Sequence, residues 1–129
     1  MSAPNQVSLC MDETIAAGTD DDRYAVHGWP GEWVLSHAYF TPATAVTTHA
    51  VNYTTIELKN GAGTVLGSLN TTIATGAAFV EGTASRFTLT GGAALEFGNA
   101  DALNINKTDA GSGKILDGSF TLSFTKIHV

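Results

Sequence analysis

Ser119-Phe120-Thr121-Leu122-Ser123-Phe124-Thr125 sets three large apolar side chains on one side of an extended chain and four hydroxyls on the other. Strict alternation of this kind is the signature of a strand with one buried face. The same period recurs upstream. Tyr53 to Leu58, Thr64 to Leu69, Arg86 to Leu89 and Ala102 to Asn106 all alternate apolar with polar residues. Between them lie Asn60-Gly61-Ala62-Gly63, Gly91-Gly92 and Gly111-Ser112-Gly113, which are turn signals. Asn60-Gly61 between two alternating runs predicts a hairpin.

The first 50 residues have a different texture. Residues 2–6 read as an extended arm, followed by a short strand over Val7 to Met11. Ala16 to Asp22 reads as a loop, because a glycine precedes a run of like charges. Tyr24 to His27 predicts a brief strand and Gly28-Trp29-Pro30-Gly31 a turn. Glu32 to Phe40 is long enough for a strand but carries large residues on both faces, as expected between two packed layers or at a subunit contact. Pro42 ends it, since proline cannot donate to a ladder. Further strands are expected over Ala84 to Leu89 and Ala94 to Phe97, and residues 70–80 are less periodic, with Ile73, Phe79 and Val80 as candidate anchors. No apolar stripe at helical spacing persists for three turns. The sum is an all-β, single-domain antiparallel β-sandwich of seven to nine strands, with a jelly roll as the favoured version. Residues 1–12 form the arm and first strand, and residues 13–129 the sandwich.

Composition narrows the function. The chain has 129 residues, 43% of them hydrophobic, enough for one core. Only 14% are charged, so threonine, serine and asparagine must supply most of the polar surface. Few charges also leave strand edges weakly guarded, which predicts that another subunit covers one. A net charge of -6 and six scattered basic residues argue against nucleic acid and against an anionic membrane surface. No run approaches the apolar length of a membrane span, and the N-terminus lacks the basic and apolar regions of a signal peptide, so synthesis in a cytoplasm is expected. The single cysteine, Cys10, excludes an intrachain disulfide and reads as a small buried hydrophobe.

Asp20, Asp21 and Asp22, near Asp12 and Glu13, could supply oxygens to calcium, but the spacing is not that of an EF-hand, and a solvated acidic loop is the simpler reading. His27, His37, His49 and His128 show no zinc-ligand spacing. His37 shares a strand face with Trp33, Leu35 and Tyr39 and reads as packed. Glu32, Glu57, Glu81 and Glu96 alternate with apolar neighbours, which places most on the solvent side rather than in a hydrolytic pair. No cofactor, metal or catalytic residue is expected, and the chain reads as a binding or assembly module rather than an enzyme. Trp29, Trp33 and Tyr39 are either core residues or exposed anchors for a partner.

Asn52-Tyr53-Thr54-Thr55-Ile56-Glu57-Leu58-Lys59-Asn60-Gly61, then Ala93 to Phe97, Asp101 to Ile105, Gly111-Ser112-Gly113 and Gly118 to Phe124, resemble the small β-sandwich head decoration (cement) proteins of tailed bacteriophages. Asn99-Ala100-Asp101 departs from the Gly-Asp usual there. The resemblance covers about residues 50 to 129 and leaves the N-terminal third unmatched. It implies a homotrimer bound to the major capsid protein on the outer surface of the virion, stabilising the head. With the arm in view, Val7, Leu9, Met11, Trp29, Trp33 and Tyr39 are the expected partner-binding residues. The alternative is a head-fibre or tail-associated module that grips host-surface glycans through exposed aromatics.

Overall fold

The computed structural model describes residues 6–26, 31–98 and 101–127. Among the described residues nine strands run in chain order: β1 (Gln6–Ile15), β2 (Asp21–Val26), β3 (Trp33–Pro42), β4 (Tyr53–Lys59), β5 (Val65–Asn70), β6 (Ser85–Arg86), β7 (Glu96–Phe97), β8 (Ala102–Ala110) and β9 (Leu116–Lys126). A short 3-10 turn, Gly92–Leu95, precedes β7. One sheet has the order β1-β9-β3-β6, with β7 also on β3, and the other β2-β8-β4-β5. All pairings of these strands are antiparallel.

The pairings are nested. β1 meets β9, β2 meets β8, β3 meets β6 and β7, and β4 meets β5. A long hairpin paired in this way and rolled up drops its successive rungs into two facing sheets. That is a jelly roll.

Period-two alternation places the core between the sheets. Phe120, Leu122 and Phe124 from β9 face Ile56 and Leu58 from β4 and Leu103 and Ile105 from β8, and all are buried. Phe40 bridges Phe120 and Phe79 at ring separations of 4.8 and 5.3 Å, and Phe97 stands edge-on to Phe124 at 5.7 Å. Such tilted and edge contacts suit the ring quadrupole. The Asn60-Gly61 hairpin is present: Asn60 Oδ1 accepts from the backbone N–H groups of Ala62 and Thr64, at 3.1 and 2.9 Å.

Four expectations change. The strand expected over Val7 to Met11 is present but longer: β1 runs ten residues in continuous register with β9, from Gln6 opposite Thr125 to Ile15 opposite Leu116. A boundary at residue 12 falls inside that strand, and residues 1–5 lie outside the described residues. Asp21 and Asp22 begin β2 rather than ending a loop. Ala94 and Leu95 belong to the 3-10 turn, leaving β7 only two residues. In β3 the register shifts between Leu35 and His37, a β-bulge at Ser36. The extra residue inverts the side-chain phase. Trp33 and Leu35 point inward before it, and Ala38 and Phe40 after it. This explains large residues on both apparent faces, and it moves His37 and Tyr39 to the outside, where they stack at 6.4 Å.

Candidate functional site

The β1–β2, β3–β4, β5–β6 and β8–β9 connections meet at one end of the sandwich and lock together through polar contacts. His49 N–H donates to Thr71 O at 3.0 Å and Ile73 N–H to His49 O at 3.3 Å. His49 Nδ1 accepts from the N–H groups of Val51 and Asn52, at 3.0 and 2.8 Å. Asn52 Oδ1 then accepts from Ser112 N–H at 2.8 Å. A side chain at Gly111 would collide with that amide, since its Cβ position lies 2.2 Å from Asn52 Oδ1, and Gly111 also holds a φ of +59°. Glycine is required there on both counts. Lower down, Val46 and Phe79 exchange backbone hydrogen bonds of 3.0 and 2.8 Å, and Phe79 plugs the core.

This interlocked end carries apolar side chains in water. Val51, Ile73 and Val80 are 62, 64 and 59% exposed, and Ile115 is also exposed. Ile73 borders a shallow depression with Ala50, Tyr53, Thr72, Ala74 and Thr75. Loops normally bear polar tips, so large aliphatics held out on a braced backbone make this end the candidate surface.

The two long sides of the sandwich differ. On one, Thr90 N–H reaches Leu66 O at 2.8 Å and Phe87 N–H reaches Ala38 O at 2.9 Å, so residues 85–97 close the gap between the sheets. On the other, β1 and β2 each pair with a single strand. Arg23 of β2 bridges this open side, its Nε 2.8 Å from Glu13 of β1, with a second bond from Nη1 to Asp21. The guanidinium's hydrogen bond, joined by the Asp22 N–H, holds the Asp21 carboxyl below the usual aspartate range.

Of the residues expected to grip a partner, Val7, Leu9 and Met11 lie on β1, half-buried against the core rather than on a free arm. Trp33 is 4% exposed and belongs to the core, with Lys126 Nζ 6.0 Å from its ring centroid. Its pairing with Phe97 of β7 helps cover it, and of the two readings open for Trp33 the core one holds. Tyr39 is half-exposed on the outer face of its sheet. Trp29 lies outside the described residues, as do His27 and His128. Cys10 is exposed rather than buried, because even-numbered positions of β1 point outward.

The acidic run stays at the surface, with Asp20 and Asp22 exposed, and its carboxylates also accept hydrogen bonds within the fold. Asp20 Oδ1 accepts from Asp109 N–H at 2.7 Å, Asp21 pairs with Arg23, and Asp22 Oδ1 accepts from Asn106 Nδ2 at 2.8 Å. No group of three His, Cys, Asp or Glu side chains is placed to hold a metal among the described residues. Glu57 faces outward beside Lys59, and Glu96 sits on the opposite sheet.

Sequence reasoning missed Val51, and of the anchors expected in the aperiodic stretch 70–80 only Phe79 is buried, while Ile73 and Val80 stand exposed. It also missed the buried pair Lys107 and Asp109, although Lys107 continues the inward row of Leu103 and Ile105. Compared with family models, curated proteins and solved structures, the chain matches none.

Proposed function

We propose that this protein is a structural virion component, a decoration or cement protein that binds the outer surface of a tailed-phage head as a trimer and clamps neighbouring major capsid subunits. The reading begins from the resemblance of residues 50 to 129. The observation that carries it is the loop end, where Val51, Ile73 and Val80 stand exposed on four cross-braced connections. A surface already rigid loses little conformational entropy on contact, so more of its burial appears as affinity. Three such surfaces in one trimer reinforce each other through effective concentration, and modest individual contacts then give lasting attachment.

Light scattering on the purified protein is expected to return three times the chain mass. Co-sedimentation with expanded heads of the encoding phage is expected to retain the wild type and release a Val51→Asp, Ile73→Asp double variant that remains folded. Full retention of the variant would remove the loop end as the contact surface. A wild type that leaves the heads unoccupied would remove the decoration reading itself.

The outward Tyr39 and His37 stack favours one second reading, a module that binds host-surface glycans. Aromatic faces stack on sugar rings, but the burial of Trp33 takes one of the two tryptophans out of that set. Glycan-array binding that disappears in Tyr39→Ala would favour this second reading.

A further inference from the structure

Lys107 has no exposed surface, and every proton of its ammonium group is used. Nζ donates to Ala16 O at 3.2 Å, to Thr19 O at 3.0 Å and to Asp109 Oδ2 at 2.5 Å. Asp109 is itself only 3% exposed at the side chain. Its Oδ2 also accepts from Gly18 N–H at 2.7 Å, and its Oδ1 accepts from the buried Thr54 hydroxyl. The Cβ position of Gly113 lies 2.2 Å from Asp109 Oδ2, so the β8–β9 turn passes against the carboxylate where only glycine fits.

We infer that the β1–β2 loop is folded around an oxygen cage for a monovalent, ammonium-type cation, and that Lys107 is its covalently tethered occupant. Two carbonyls and one carboxylate converge on one point inside the fold. Their single negative charge matches one positive charge, and a divalent ion would want six or more oxygens. Three acceptors match three N–H donors, the number an alkylammonium offers. Tethering keeps the cation in place without a free ion. The cage also seats the loop end, since a Cβ placed on Gly18 would lie 3.6 Å from Ser112 O of the neighbouring turn. This inference does not depend on whether the protein decorates capsids.

The test is chemical rescue. Lys107→Ala leaves Asp109 buried without its partner, and the midpoint of urea unfolding is expected to fall by about 2 M. Ethylammonium chloride should recover part of that loss in a saturable manner. Tetramethylammonium chloride at the same ionic strength should not, because it has no N–H to donate. Adding Asp109→Asn to Lys107→Ala should abolish the rescue. An unchanged midpoint, or an equal response to both salts, overturns the inference. If Lys107→Ala does not fold, hydrogen exchange in the wild type decides. The Gly18 amide should be protected like the core amides of β8, and exchange at the rate of an open loop overturns the cage.

Discussion

Replacing Trp33 with alanine separates a core residue from a partner-binding one. Trp33 lies at the start of β3, opposite Phe97 of β7 on one side and Lys126 of β9 on the other, with 4% of its surface exposed. Truncating a buried tryptophan removes its transfer free energy and leaves a cavity, together about 3–5 kcal/mol. The Lys126 ammonium over the ring accounts for no more than about 0.5–1 kcal/mol of this, so Lys126→Met should reproduce only a small part of the loss. With a urea slope of about 2 kcal/mol per molar for a chain of this size, the midpoint for Trp33→Ala should drop by about 2 M. Far-UV circular dichroism is the suitable probe, because the substitution removes a fluorophore. Tyr39→Ala, on the outward face beyond the bulge, should cost less than about 1 kcal/mol. A Trp33→Ala protein within about 1 kcal/mol of the wild type would refute both the burial and the phase inversion at Ser36.

Gly118→Ala should destabilise by about 1–3 kcal/mol in the same assay, because its Cβ position lies 2.3 Å from Thr41 O and 2.8 Å from Pro42 Cα, backbone atoms that cannot rotate away; wild-type stability would mean that the β3–β9 approach is looser than described. Asp21 should titrate below an ordinary aspartate in an NMR pH series, and Arg23→Gln should bring its midpoint back up. A carboxyl lowered in the folded state stabilises at pH values above its unfolded pKa, and the contribution is lost as pH falls through the lowered one; identical titrations in the two proteins would dismiss the Arg23 contact. Joint replacement of Asp20, Asp21 and Asp22 by alanine should lower the urea midpoint, since each carboxylate is an acceptor within the fold, and calcium should leave the wild-type midpoint unchanged. A calcium-dependent rise in the wild type that the triple variant lacks would reveal a metal site in this segment.

Local alternation was sufficient for the all-β class, for the Asn60-Gly61 hairpin and for the inward row Phe120, Leu122 and Phe124. In an extended chain successive side chains must take opposite faces, so one solvated face writes its period directly into the residues. The same rule, followed one step past Ile105, puts Lys107 inside. The phase of β3 was not legible, because one inserted residue at Ser36 exchanges its two faces without altering composition. Nor were the partners of β1: Gln6 finds Thr125 across nearly the whole chain, and that choice depends on which sheet edges are free once the hairpin has rolled up. Only closure of the roll brought Gly18, Asn52, Ile73 and Ser112 to one end, left the β1 and β2 side open, and gave the Lys107 ammonium its three oxygens. Those contacts join distant segments, and no periodicity within a segment carries information about them.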